Sequence, residues 1–272
     1  MTAPFRVALG QFFVKETGAE NLEIVRRLID EAEAGGAGLL VLPEGILARK
    51  PTEPDWGVRH SEPLDGPFVT GLVAATKGRR VTVVCTVQVR IPGETRYAND
   101  LIVAEDGRLR LVYQKLHLYD AFSARESDNA VAGDDVPEVL DIGPFRAGFL
   151  TCYDVRFPEM TRALALRGAT LLVCPAAWVR GSLKEMHCDL NLRARALENT
   201  CFMVGVSECG PVNIGCSKAV GPLGVVLAQC GPKDQLLFVD LDPEAIAVAR
   251  GKLPVLENRR FAAPHLRAPG EL

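Results

Sequence analysis

The sequence has no C-x-x-C pair, no basic tract and no apolar run of bilayer length, and histidine is scarce. The longest apolar stretches, such as Ala169–Trp178, fall far short of the ~20 residues that a spanning helix needs. Lys and Arg number 31 against 34 Asp and Glu, a formal charge of −3. The basic face on which a nucleic-acid binder depends is therefore missing. The chain opens Met1-Thr2-Ala3-Pro4 and passes straight into a strand-like segment, without the basic and apolar regions of a secretory signal. Eight cysteines are present, but their spacing matches neither a structural zinc site nor a small disulfide framework. They are expected to be reduced thiols of a cytoplasmic protein. Hydrophobic residues make up 48% and charged residues 24%, the balance of a globular chain.

Apolar strands alternate with helical stretches from end to end. Strands are expected at Arg6–Gln11, Leu39–Pro43, Val81–Arg90, Tyr97–Glu105, Leu109–Lys115, Ala147–Cys152, Thr170–Cys174 and Cys201–Glu208, and near Ser217–Val220, Val225–Ala228 and Leu236–Asp240. Helices are expected at Ala19–Ala34, Gly66–Thr76, Pro158–Arg167, Leu183–Asn199 and Pro243–Arg250. Leu22, Val25, Leu28, Ile29 and Ala32 form one stripe of the first helix, which the Gly35-Gly36 pair ends. Leu116–Pro137 is polar, irregular and long for a mere connector, which favours a functional loop. Composition does not break along the chain, so residues 1–272 are taken as a single domain, with a core of about 5–261 and a tail at 262–272. Strands as apolar as Leu39–Leu42 must be covered on both faces, which requires a layered α/β architecture.

Three reactive side chains stand at or just past the ends of such strands: Glu44, Lys115 and Cys152. In α/β folds ligands bind outside the carboxyl ends of strands, so an acid, an amine and a thiol there can share a site. Acyl transfer by a cysteine needs this set: a thiol to attack, a carboxylate to move protons and a cation to hold the oxyanion. Each residue alone has an ordinary explanation: a turn glutamate, a solvated lysine, a buried inert thiol. His60, His187 and His265 have no strand-end placement, while His117, two residues past Lys115, keeps a Cys–His dyad open.

The segments Leu42-Pro43-Glu44, Tyr113-Gln114-Lys115-Leu116-His117-Leu118 and Thr151-Cys152-Tyr153-Asp154-Val155-Arg156-Phe157-Pro158-Glu159 resemble the Glu, Lys and Cys blocks of the nitrilase (carbon–nitrogen hydrolase) superfamily, in the family's order. Cys174-Pro175-Ala176-Ala177-Trp178 and Arg193–Asn199 resemble its later blocks. The likeness runs from about Phe5 to about Phe261. His117–Phe122, Ala176–Gly181, Glu208-Cys209-Gly210 and Leu253–Arg260 resemble the bacterial deaminated-glutathione amidase branch, related to the Nit amidases and ω-amidases.

This resemblance implies an α-β-β-α sandwich that uses no metal or organic cofactor and assembles as a homodimer or higher homo-oligomer. It implies Cys152 as nucleophile, Glu44 as general base and acid, and Lys115 as oxyanion stabiliser together with the backbone N–H of Tyr153. Lys115 is expected to depress the Cys152 pKa, and burial to raise that of Glu44. Glu126 is similar to the family's second glutamate, which orients the lysine. Asp154 and Arg156 are expected to form a structural pair. Trp178 and Arg180 follow a strand end; Arg180 is nominated to bind a substrate carboxylate, against the alternative of a solvated arginine. Tyr119 and Phe122 are lid-loop candidates. His187 belongs to a pocket-floor helix in which Cys188 departs from the family pattern. The implied reaction is hydrolysis of a primary amide, with loss of ammonia, through a cysteine thioester. The implied substrate is an ω-amide of an α-keto acid such as deaminated glutathione. The rivals are a nitrilase or N-carbamoyl amidohydrolase, a non-catalytic binding protein on the same fold, and a cysteine-rich metal or redox protein.

Overall fold

A computed structural model describes residues 3–267. The opening Met1-Thr2 and the end of the expected tail, with Pro269, lie outside the described residues. The first sheet holds β1 (Phe5–Gln11), β2 (Leu39–Val41), β3 (Thr82–Arg90), β4 (Tyr97–Glu105), β5 (Arg108–Gln114) and a short β6 (Ala130–Val131). The second holds β7 (Leu140–Ile142), β8 (Phe145–Phe149), β9 (Leu171–Ala176), β10 (Phe202–Ser207), β11 (Lys218–Val220) and β12 (Val226–Gln229). The chain then returns to the first sheet through β13 (Gln235–Leu241). Strand order is β13-β1-β2-β3-β4-β5 in one sheet, with β6 beside β4, and β12-β11-β10-β9-β8-β7 in the other.

The two sheets repeat one plan. β1, β2 and β3 are parallel, followed by antiparallel β4 and β5, with antiparallel β13 on the other edge. β8, β9 and β10 are likewise parallel, followed by antiparallel β11 and β12, with antiparallel β7 on the other edge. The parallel strands are joined through helices in both halves: α1 (Gly18–Ala34) and α3 (Pro67–Ala75), and α4 (Pro158–Leu166) and α5 (Lys184–Asn199).

Strand alternation explains the four layers. Val7, Leu9, Leu39 and Val41 point to the sheet–sheet core, where they join Phe145, Phe149, Val173 and Val204. Their neighbours Ala8, Leu40 and Leu42 point the other way, to Val25, Ile29, Phe68 and Leu72 of α1 and α3. Both faces of these strands are therefore buried, as their unbroken apolar runs require. The α-β-β-α architecture expected above is the one observed.

Departures from the sequence-based expectation are local. The strand at Leu39 ends at Val41, and the strand expected to reach Cys152 ends at Phe149, leaving Cys152–Arg156 as a 3-10 turn. The β7–β8 hairpin, turning at Gly143 (φ 54°), was not expected, because Leu140–Ile142 is too short to show alternation. Two more short helices, α2 (Trp56–His60) and α7 (Val255–Asn258), were also not anticipated. The last long helix, α6, runs over Glu244–Lys252. The 116–137 segment is irregular as expected, apart from a 3-10 turn at Glu126–Asp128 and β6.

Candidate active site

Glu44 follows β2 through Leu42-Pro43. The backbone turns sharply after it at Gly45, which has φ 65° and donates to Thr86 Oγ1 at 2.7 Å. A Cβ at Gly45 would fall 2.5 Å from Arg49 Nη2 and displace that guanidinium, and the positive φ itself favours glycine. The Glu44 carboxylate is held on both oxygens. Oε1 accepts from Lys115 Nζ (2.8 Å) and Asn99 Nδ2 (2.8 Å), and Oε2 accepts from the Ala177 N–H (2.8 Å).

Lys115 leaves the end of β5, is 1% exposed, and donates to Glu44 and to Glu126 Oε2 (2.8 Å each). Glu126 is fixed in turn by Asn99 Nδ2 on Oε1 (3.0 Å) and by the Tyr119 N–H on Oε2 (2.7 Å). Asn99 thus bridges both glutamates. Burial alone would lower the Lys115 pKa, but Glu126 and Glu44 more than offset it, and the amine is held well above its usual range.

Cys152 opens the 3-10 turn with φ 46°, a left-handed conformation that few side chains adopt and that costs about 1–3 kcal/mol. Asp154 holds the turn. Its buried carboxylate accepts from the Thr151 N–H (2.8 Å), the His117 N–H (3.0 Å), His117 Nδ1 (2.7 Å) and the Tyr113 hydroxyl (2.9 Å). The Cys152 turn is thereby tied to the segment carrying Lys115. The Glu44 carboxylate lies close enough to the Cys152 thiol for each to shift the other's ionisation.

Both expected contributions are present, but neither sets the net direction. Burial, then Glu44, push the Cys152 thiol well above its ordinary range; Lys115 opposes them without prevailing. Burial works to raise Glu44 too, but Lys115 and Arg49 outweigh it and hold the carboxylate below its ordinary range. The resting arrangement is therefore an ionised Glu44, a charged Lys115 and a neutral thiol.

A cavity of about 650 Å³ opens on this cluster, and its wall includes Glu44, Lys115, Glu126, Cys152, Tyr153 and Asn99. Tyr119 and Trp178 line it as expected, but Arg180 and His187 do not. Arg180 is turned outward: its side chain is 41% exposed, with Nε on the Gly210 carbonyl (3.1 Å) and Nη1 3.9 Å from Glu185. His187 meets Phe122 in a tilted contact, with ring centroids 6.3 Å apart. Phe122, at φ 53° and largely exposed, stacks beside Tyr119. His117 is committed to Asp154 and stacked on Phe157 at 3.7 Å, outside the cavity wall, so no Cys–His dyad forms.

The expected Asp154–Arg156 pair is also absent, because Asp154 spends its carboxylate on four other donors. Arg156 instead lines the cavity, its guanidinium 4.9 Å from the Trp178 ring, with Nε and Nη2 buried and without a partner. Arg49 is a second cation that the sequence reading missed. It donates to the Glu44 carbonyl (3.0 Å) and lies 3.0 Å from Glu208 Oε2. Its signal was a charged residue directly after the apolar Ile46-Leu47-Ala48, and for Asn99 it was a polar side chain inside an apolar strand. Among the described residues no group of acidic, histidine and cysteine side chains is placed to hold a metal ion, and all eight cysteines are unpaired.

Residues 6–250 match the family model described as carbon-nitrogen hydrolase. The chain belongs to that family. It is 42% identical over 261 residues to the deaminated glutathione amidase of Escherichia coli O157:H7, covering 96% of this chain and 99% of that one. Among solved structures, Saccharomyces cerevisiae Nit3, a member of branch 10 of the nitrilase superfamily, superposes with a TM-score of 0.83 at 25% identity, covering 96% of this chain and 98% of that one. A glutamate-to-glutamine variant of the amidase from Nesterenkonia sp. AN1, with the acetamide moiety of fluoroacetamide added at its active-site cysteine, superposes at 0.81 with 28% identity, covering 95% and 94%. This chain is accordingly a carbon–nitrogen hydrolase of the amidase kind, and the alternative of a binding protein on the same fold is not favoured.

Proposed function

We propose that the protein hydrolyses an ω-amide of an α-keto acid, deaminated glutathione or a close analogue, through a thioester on Cys152. The observation that carries this reading is the buried cluster of Glu44, Lys115 and Cys152 at one cavity, with the unpartnered guanidinium of Arg156 in the same wall. Cys152 Sγ attacks the amide carbon while its proton passes to Glu44. Lys115 Nζ and the Tyr153 N–H, at the start of a turn whose first N–H groups have no internal partner, hold the oxyanion. Glu44 returns the proton to the departing nitrogen, leaving a thioester. It then takes a proton from water, which attacks the thioester carbon, and the acid and the Cys152 thiol are released. Glu126 and Asn99 act as positioning residues for Lys115 and Glu44. In deaminated glutathione the departing nitrogen belongs to cysteinylglycine, so the ammonia expected above leaves only from primary amides.

The carboxylate of the α-keto acid is assigned to Arg156 in place of Arg180. Arg156→Leu is expected to raise KM for α-ketoglutaramate by about ten- to a hundredfold, the cost of losing a charge-assisted pair, and to leave a small neutral amide nearly unchanged. Arg180→Ala is expected to stay within about twofold for both. The reverse ranking in an ammonia-release assay, or no turnover of any ω-amide, defeats the reading. Relatives named as amidases, among them the deaminated glutathione amidase and the Nesterenkonia enzyme, favour an amide over the nitrile and carbamoyl alternatives.

The protein is further taken to be a homodimer. Met186, Leu190 and Leu197 form an exposed apolar stripe at helical spacing along α5, flanked by Leu183 just before the helix and continued by Leu223, Val225 and Leu227 of the neighbouring hairpin. Such a stripe suits a second copy of the same helix. Sedimentation checks this: Leu190→Glu is expected to yield monomers, and an unchanged mass rejects the assignment. Eight unpaired cysteines support a reducing compartment, the cytoplasm.

A further inference from the structure

Two cations face the cavity with no protein anion to meet them. Lys184, the first residue of α5, is 5% exposed, and Arg156 sits in the turn that carries Cys152. Among the described residues neither forms an ion pair, because the carboxylates of the wall are engaged elsewhere: Glu44 and Glu126 by Lys115, Glu53 by Lys50, Asp128 by Arg125. Lys184 Nζ donates to the Tyr119 hydroxyl (2.5 Å) and lies 3.5 Å from the centre of the Phe122 ring. The Arg156 guanidinium lies 5.9 Å from the same ring. Burial, and then the charge of Arg156, lower the Lys184 pKa, so the two cations feel each other. Like charges gathered out of water are costly unless something anionic joins them.

We propose that Lys184 is the specificity-determining residue that admits amides of α-oxo acids and rejects amides carrying an α-ammonium group. The inference rests on the reading of the preceding subsection, in which Arg156 takes the substrate carboxylate. The α-substituent is bonded to the carbon next to that carboxylate, so it enters the field of both cations. An α-oxo oxygen accepts a hydrogen bond from Nζ, which has three donors and one protein partner. An α-ammonium group has only donors and a positive charge, and it meets two cations. The carbon skeletons of an α-oxo amide and its α-amino counterpart are otherwise alike, so cavity shape separates them poorly and charge separates them well. The discrimination comes from the repulsive element as much as from the attractive one.

The test measures kcat/KM for two substrate pairs, α-ketoglutaramate against glutamine and deaminated glutathione against glutathione. The variants are Lys184→Met, Lys184→Gln, Lys184→Arg and Tyr119→Phe. The wild type is expected to prefer the α-oxo member of the pair it uses by about a hundredfold or more. Lys184→Met and Lys184→Gln are expected to shrink that preference by about tenfold or more, with KM for the α-oxo amide rising and use of the α-amino amide held or increased. Lys184→Arg keeps the charge and the preference. Tyr119→Phe removes the hydrogen bond between α5 and the loop but not the charge, so it is expected to keep the preference whatever it does to both rates.

Equal losses on both members of a pair in Lys184→Met and Lys184→Gln would make Lys184 a loop latch and overturn the inference, while α-ketoglutaramate turnover leaves the preceding reading standing. The inference is equally overturned if Tyr119→Phe shrinks the preference as much as Lys184→Met does. A wild type that turns over none of the four amides overturns the preceding reading, and this inference with it.

Discussion

The two halves of the molecule share one strand plan and differ in what they place at equivalent strand ends. In the first half Leu9 is the last residue of β1 in register with β2, and three residues further stands Phe12. In the second half Phe149 is the last residue of β8 in register with β9, and three residues further stands Cys152. The next strands invert the pattern. Three residues beyond Val41 of β2 stands Glu44, whereas three residues beyond Val173 of β9 stands Ala176. One half therefore places a carboxylate where the other has a methyl group, and the second places a thiol where the first has a phenyl ring. Their packing brings the two together, with the Glu44 N–H on the Ala176 carbonyl at 3.1 Å. A repeated scaffold has no intrinsic preference for one site over two. The residues at four equivalent positions make this one singular.

The sharpest way to break the comparison is to move the thiol. Cys152→Ala is expected to lower kcat by about 10⁴-fold or more, with the melting temperature little changed. Adding Phe12→Cys should restore nothing, because the thiol then lacks both Glu44 and Lys115, and it should cost about 2–4 kcal/mol of stability for the emptied core volume. Turnover in the double variant would show that a strand-end thiol suffices.

Removing the carboxylate's charge tests the other half. Glu44→Gln keeps the shape and loses the charge, and kcat is expected to fall by about 10²–10⁴-fold. Labelling of Cys152 by an electrophile should slow as well, because the neutral thiol has lost its proton acceptor. Labelling at the wild-type rate would mean that another group takes the thiol's proton.

The smallest effect concerns the junction of the halves, where Arg49 of one meets Glu208 of the other. Glu208 is 0% exposed, and burial outweighs Arg49 to push it up to about 7. Its folded pKa lies above the unfolded one near ~4.3, so the folded state binds more protons between these values. Stability from this group is then fully present at low pH and lost as pH rises from about 4.3 towards about 7, by on the order of 3 kcal/mol. Glu208→Gln is expected to flatten that slope in denaturant titrations at pH 5 and pH 8. An unchanged slope would mean that Arg49 keeps Glu208 ionised throughout.

Much of this was legible in the residues. The apolar runs at Leu39–Val41 and Leu171–Cys174 required cover on both faces, and both received it. Glu44, Lys115 and Cys152 declared themselves as reactive groups where apolar strands stop. The Arg180 nomination failed because the residues just past a strand end can face either way, and Val179–Asn213 pairing turns Arg180 outward. Asp154 and Arg156 are adjacent enough to suggest a pair, yet the 3-10 turn sends one into the core and the other into the cavity. Lys184 gave no signal, since a lysine opening a helix is ordinarily solvated.

Local sequence determined which segments are strands and helices, because side-chain periodicity and turn residues act over a few positions. It also determined the chemistry available, since a thiol, a carboxylate and an amine keep their nature wherever the chain carries them. Only the tertiary structure decided their protonation and their partners. Those depend on burial and on charges brought from Glu44, Asn99, Lys115, Glu126 and Cys152, residues far apart in the chain that meet when one sheet packs on the other.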